Sequence, residues 1–415
     1  MKILWFSNCV LSKTPSAGSG SWLFAMRDLI VNDVDLINIT DSNINKITLN
    51  EANGIKEYIL PNWKLKNGVP TTDHIIQIAD IIDHEKPDVV HIWGVEKYWA
   101  LLFSRGLIQF DKVILEIQGV FSSCVDVYYG GLLPIDIIKM MSLKSLLFSK
   151  YRLSKAYRSY QMKSLYEKEL VRSFKHIAIQ SNWTKDQLST ICSEKTNYYY
   201  SLRPIRKQFY QADKWKKPSN SKPILFCSIS YYKPFKGLHF LLKALNVVRC
   251  YIPNITLRIA GPNLESRPFY LIGDYERYIL KEIRRLELVN NIVFCGSLNA
   301  TQMVEEIQNA DIVVNPSLVE SYSAAAAEAL YLGAPTILAY SGAMINFSEE
   351  KPVALYYNPM DYRSLAAKIS TLLYDQKLRN ILTLNALEEL LKKSSPDSVK
   401  SRQLDTYNKV LNSSL

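Results

Sequence analysis

Short apolar runs, many of them β-branched, alternate along the chain with longer amphipathic stretches, and this alternation predicts strand and helix in turn. In the first half the runs are Ile3–Ser7, Val34–Ile39, Val89–Trp93, Val113–Gln118 and Ile177–Gln180. In the second half they are Ile224–Ile229, Ile255–Ala260, Ile292–Cys295, Ile312–Asn315 and Pro335–Ala339. Helical spacing fills the intervals, for example at Leu238–Arg249 and Gln302–Asn309. Strand–helix repetition of this kind builds doubly wound parallel sheets, so the expected class is α/β. A polar stretch from Arg203 to Pro223, rich in charge, Pro and Ser, interrupts the alternation and marks a domain boundary. The expected division is 1–203, 204–395 and a final helical segment 396–415.

At 415 residues the chain is long enough for two or three domains, each with its own core. Apolar residues at 48 % and charged residues at 21 % exclude a disordered chain. No apolar run approaches the length needed to span a bilayer, and Met1 to Ser7 reads as a buried strand rather than a signal peptide. The six cysteines are scattered, with no CxxC spacing. They read as reduced core residues of a cytoplasmic protein, and a structural zinc site is not expected.

The most informative segment is Asn315-Pro-Ser-Leu-Val-Glu320-Ser-Tyr-Ser323, followed by four alanines and Glu328-Ala329-Leu330. The strand Ile312–Asn315 runs into an Ala-rich stretch of high helix propensity, which Ser321 or Ser323 can cap. Glu320 then lies just outside the helix and Glu328 inside it. On one continuous helix the two would be about 12 Å apart. Either geometry is too wide for carboxylates sharing a proton. It suits two contacts at opposite ends of a long polar ligand, with a phosphate-attracting helix N-terminus between them. Two solvated surface glutamates are the alternative.

Glu320 and Glu328 with seven residues between, Pro316-Ser317, Glu328-Ala329 and Gly333-Ala334-Pro335 resemble the signature of a large retaining glycosyltransferase family. It is the family of GT-B type known as glycosyltransferase family 4, or glycosyl transferases group 1. The resemblance runs over nearly the whole chain and is tightest from Pro223 to Ile345. It implies two Rossmann-like domains facing each other across a cleft, the N-terminal one binding acceptor and the C-terminal one nucleotide-sugar. It also implies a last helix that crosses back onto the N-terminal domain.

Other segments take roles under that resemblance. The loop Ser16-Ala-Gly18-Ser-Gly20-Ser-Trp22 follows the first strand; its glycines permit a tight turn and expose amides, and Gly18 and Gly20 are expected near the donor phosphate. A plain strand–helix turn is the competing reading. Tyr231-Tyr-Lys233-Pro-Phe-Lys236-Gly237 also opens a helix after a strand, and Lys236-Gly237 matches the family's Lys-Gly pair. An arginine is usual where this chain has Tyr231, so Lys233, Arg203 or Arg206 is expected to compensate. Gly261 ends a strand beside the expected nucleotide base. His91, Trp93 and Gln118 end N-domain strands and are expected on the acceptor side. For His91 a satisfied core histidine is the preferred reading over a ligand contact, and Gln118 stands where many relatives have histidine.

The net charge is +11, and residues 139–175 hold ten Lys/Arg against two Glu. With apolar residues at helical spacing this is a basic amphipathic helix or helix pair, suited to anionic lipid or a diphosphate-linked acceptor. Nucleic acid is not expected as a partner, since no nucleic-acid motif accompanies the charge. The sequence thus points to a retaining glycosyltransferase, and the resemblance implies that it works without a metal or other cofactor. It would move a sugar from a nucleotide-sugar to a glycan or polyisoprenyl-diphosphate-linked acceptor, in bacterial surface polysaccharide synthesis. Its place would be the cytoplasm, peripheral to the inner face of the plasma membrane. Under the resemblance Glu320 binds the transferred sugar, Lys236 with Lys233 neutralises the leaving diphosphate, and Glu328 takes the ribose. Ser321, Tyr322, Ser323 and the loop at Gly342 complete the donor pocket. The alternatives are a sugar-nucleotide epimerase on the same fold, or a non-enzymatic basic protein binding membrane or RNA.

Overall fold

The computed structural model describes the chain except for residues 14–19, 142–151, 194, 220–221, 230–232, 262, 265–267, 269–271, 414–415 and the side chain of Ser21. The chain divides into two compact units. One comprises Met1–Val120, Lys163–Pro204 and Ser394–Leu415; the other comprises Phe121–Met162 and Ile205–Lys393. The switches after 204 and 393 lie beside the boundaries expected from sequence. Residues 121–162, expected in the first domain, belong instead with the second unit.

The first unit is built on eight strands: β1 (Lys2–Phe6), β2 (Asp35–Ser42), β3 (Thr48–Ala52), β4 (Ile55–Pro61), β5 (Val89–Trp93), β6 (Val113–Glu116), β7 (His176–Ile179) and β8 (Asn197–Tyr200). Their order is β3-β4-β2-β1-β5-β6-β7-β8, parallel throughout except for β3 against β4. Central strands such as β1 and β5 are buried almost end to end, as strands covered on both faces must be. The helix Pro396–Leu411 packs into this unit and adds Val399, Tyr407 and Val410 to its core.

The second unit holds β9 (Ile224–Ser228), β10 (Thr256–Ala260), β11 (Ile292–Phe294), β12 (Ile312–Asn315), β13 (Thr336–Ala339) and β14 (Leu355–Tyr357). All are parallel, in the order β11-β10-β9-β12-β13-β14. Counted from β9 this is the doubly wound order 3-2-1-4-5-6. No helix among the described residues is long and apolar enough to cross a membrane.

Candidate functional site

In the second unit β9 is flanked by β10 on one side and β12 on the other. Chain connections therefore leave β9 and β12 in opposite directions, and a crevice forms outside their carboxyl ends, where doubly wound sheets bind ligands. Lys236 lies on the loop after β9 and Glu320 on the loop after β12. The structure brings them together: Lys236 Nζ donates to Glu320 Oε1 at 2.5 Å, both side chains being less than one-fifth exposed.

Local chemistry fixes each loop. After β9 a single 3-10 turn, Pro234–Lys236, buries Pro234 and Phe235 and ends at Gly237 with φ +74°. A Cβ at Gly237 would strike the Pro316 carbonyl, so glycine permits the two loops to touch. Leu318 N donates to Phe235 O at 2.8 Å across the same contact. After β12, Asn315 organises the turn: its Oδ1 accepts from Ser317 N and its Nδ2 donates to Ser323 Oγ at 2.7 Å. Ser323 Oγ in turn caps the helix Ala324–Leu332 by accepting from Ala326 N. The third loop, after β13, closes the set. Gly342, at φ +56°, lies so close to the Glu320 backbone that a side chain would clash, and Ala343 N donates to Glu320 O at 2.7 Å.

Glu328 is buried inside the Ala-rich helix, with both carboxylate oxygens accepting from Arg206: Nε at 2.6 Å and Nη2 at 2.7 Å. Burial pushes the carboxyl up and the guanidinium pulls it down, with burial the larger effect. Arg206 also stacks over Phe209, 5.0 Å from the ring centre. Neither glutamate is thus a solitary surface group; each is half of an ion pair that sequence spacing could not reveal.

Other expected donor contacts fare differently. Ser323 is buried and spent on the helix cap, and Ser321 is buried beside it. Tyr322 is half-buried against Phe347. Lys233 lies over the Tyr160 ring at 5.1 Å. Gly261, at φ +137°, donates its amide to Gly296 O at the end of β10. Gly18 and Tyr231 fall outside the described residues, while Gly20, at φ +95°, opens the helix Ser21–Ile30.

In the first unit Trp93 requires correction, and His91 takes the core reading. His91 is 0 % exposed and Trp93 2 %, so neither offers a face to a ligand. Trp5 Nε1 donates to Tyr407 Oη at 2.8 Å, and Tyr407 Oη pairs with His91 Nδ1 at 3.0 Å. His91 Nε2 lies 3.6 Å from Glu116 Oε2, while Gln180 donates to Glu116 Oε1. Burial holds the His91 pKa below its ordinary value against the pull of Glu116. An all-buried polar chain of this kind locks the last helix to the sheet. Gln118 is half-buried, and its carbonyl accepts from Arg203 Nη2 at 3.0 Å; the Arg203 guanidinium lies 4.8 Å above the Trp22 ring. This arginine–tryptophan stack is the polar cluster that strand-end reasoning missed.

A doubly wound unit with strand order 3-2-1-4-5-6 and a cation–carboxylate pair at its switch point has the architecture of a nucleotide-binding domain. Residues 209–389 match the family model described as Glycosyl transferases group 1. An uncharacterized glycosyltransferase, MJ1607 of Methanocaldococcus jannaschii, is 25 % identical over 188 residues, 45 % of this chain and 45 % of its own. The chain therefore spans about half the length of that curated relative. Among solved structures, sucrose-phosphate synthase from Thermosynechococcus elongatus superposes with a TM-score of 0.70 at 14 % identity, covering all of both chains. Anabaena HepE in complex with UDP and glucose gives 0.65 at 15 % identity over 99 % of this chain and 100 % of that one. At such identities the likeness is one of fold: the two-unit α/β fold of GT-B glycosyltransferases.

Proposed function

We propose that the protein is a retaining glycosyltransferase that uses a nucleotide-sugar donor held by the second unit. The observation that carries this reading is the Lys236–Glu320 pair at the switch point of the family-matched domain. HepE, of the same fold, is in complex with UDP and glucose, which supports a nucleoside diphosphate as the leaving group. Lys236 supplies the positive charge opposite the diphosphate as the glycosidic bond breaks, without recourse to a metal. Glu320, released from the lysine when donor binds, accepts from hydroxyls of the transferred sugar. Glu328 accepts from the ribose; each carboxylate oxygen keeps a second lone pair, so Arg206 can fix the group without saturating it.

Gln118, Arg203 and Trp22 of the first unit belong to the acceptor side, where a cation over an indole suits a glycan or a polyisoprenyl-diphosphate-linked glycan. The basic segment 139–175 keeps the enzyme at an anionic membrane surface, in keeping with surface polysaccharide synthesis. The test is product analysis with a panel of nucleotide-sugars and lipid-linked acceptors. Transfer with the donor's anomeric configuration kept is expected. Conversion of the donor sugar without acceptor would identify an epimerase instead.

A further inference from the structure

The segment 121–141 is fixed within the second unit, yet among the described residues it presents an exposed apolar face. At its near end Gly130 and Gly131, both at positive φ, press against Pro234 and Met360, where added Cβ atoms would lie 2.5 Å from the Pro234 carbonyl and 2.6 Å from Met360 Sδ. His239 Nε2 lies 2.9 Å from Gly130 O. At its far end the helix Pro134–Met140 packs on the helix Asp274–Arg285: Met140 is buried, and Arg277 and Lys281 donate to the carbonyls of Met140 and Lys139. A helix so fixed could be expected to bury its aliphatic side chains. Instead Leu133 is 61 % exposed, Ile135 50 %, Ile138 63 % and Met141 42 %.

We propose that this face is a docking surface for an anionic lipid bilayer, and hence that the nucleotide-sugar unit itself is membrane-anchored. Charge complementarity selects the occupant. Lys139 is exposed on the same helix, and Lys281, also exposed, reaches the Lys139 carbonyl. Arg284 is exposed on the same helix as Lys281, and Lys155 and Arg158 stand exposed at the start of the helix Leu153–Ser173. The single carboxylate of the short helix, Asp136, interacts with Tyr278 and Arg285 on the neighbouring helix. Exposed aliphatic side chains with lysine beside them match the boundary between acyl chains and acidic headgroups. The inference rests on the proposed membrane-side role for its biological sense. It differs in assigning the contact to residues 133–141 of the donor unit.

The test is co-sedimentation of the full chain with vesicles of phosphatidylcholine alone or mixed with phosphatidylglycerol, read without any glycosyl transfer. Wild type should bind the mixed vesicles at least about tenfold better than the neutral ones, less so as salt rises. The Ile135→Asp/Ile138→Asp variant, altered only at exposed positions, should lose that binding by about tenfold or more with an unchanged melting temperature. Lys139→Glu/Lys281→Glu should weaken binding and flatten its salt dependence. Equal binding by the aspartate variant would overturn the proposal, as would wild-type indifference to both vesicles. So would a dimer that the aspartates dissolve, which would make a second copy the occupant. Thermal shift by nucleoside diphosphates, run in parallel, tests the donor reading separately: either result can fail without the other.

Discussion

The Glu320 carboxylate and the Lys236 ammonium lie 2.5 Å apart although 84 residues separate them in sequence. They meet because β9 and β12 are neighbours and each hands its chain to a loop at the same sheet edge. Lys236 and Glu320 are thus each other's partner, and under the proposed donor reading an incoming diphosphate would compete with Glu320 for the lysine.

That competition makes the two substitutions differ in sign. Glu320→Gln should tighten binding of a nucleoside diphosphate a few-fold, because the ammonium loses its internal counter-ion. The same change should lower turnover by about two orders of magnitude, the scale of losing one well-placed polar contact at a reacting centre. Lys236→Ala should weaken diphosphate binding and lower turnover further. Calorimetry with the diphosphate and steady-state kinetics with the sugar donor separate the two effects.

The Arg206–Glu328 pair carries a stability prediction. Truncating one partner of a buried pair typically costs about 3–5 kcal/mol because the other charge is left uncompensated. Arg206→Met should therefore destabilise the protein strongly at neutral pH. Glu328, already pushed up by burial, would be pushed further without the guanidinium, so protonation relieves the cost as pH falls. Chemical denaturation should show the deficit of Arg206→Met larger at pH 8 than at pH 5. Glu328→Gln should fold with a lower melting temperature and a raised Michaelis constant for donor.

His239, on the helix Leu238–Arg249, ties Gly130 to Tyr275 and should set a limit on acid stability. Its ring lies between Tyr275 Oη and Gly130 O, and burial lowers its pKa from 6.5 to about 3, with Lys243 adding a small push the same way. A depressed folded-state value means that the stabilisation is fully present above pH 6.5. It is lost progressively as pH falls from there toward 3. His239→Gln should be less stable at pH 7 and lose less between pH 6.5 and pH 4, as read from melting temperatures.

In the first unit, Tyr407→Phe leaves Trp5 Nε1 and His91 Nδ1 without their shared hydroxyl inside a fully buried site. A cost of about 1–3 kcal/mol is expected for stranding such groups. Amide exchange in the helix Pro396–Leu411 should rise in this variant.

The central strands were legible because burial on both faces leaves an uninterrupted β-branched run, as in Ile312–Asn315 and Val89–Trp93. The strands outside that set, β3, β4, β8 and β14, lie toward the sheet edges, and three of them are partly exposed and mixed in polarity. The β3–β4 hairpin did carry a local sign, the Asn53-Gly54 pair, both at positive φ. Lys236 and Glu320 were legible through strand–loop–helix chemistry. Arg203 and Arg206 were legible as candidate cations but their partners Gln118 and Glu328 were not, and the role of Asn315 was not legible at all, because these pairings exist only in the folded chain. His91 was open to two readings for the same reason: a histidine at a strand end reads alike whether it faces a ligand or, as here, Tyr407. The position of residues 121–162 was hidden too, since no change in composition marks where the chain leaves one unit for the other.

Thermal shift of wild type and Lys236→Ala against a panel of nucleoside diphosphates and their sugars tests the central claim most directly. At least one diphosphate should raise the melting temperature of wild type by several degrees and leave Lys236→Ala nearly unmoved. No shift with any member of the panel, or an equal shift in the two proteins, would contradict a donor diphosphate held at Lys236.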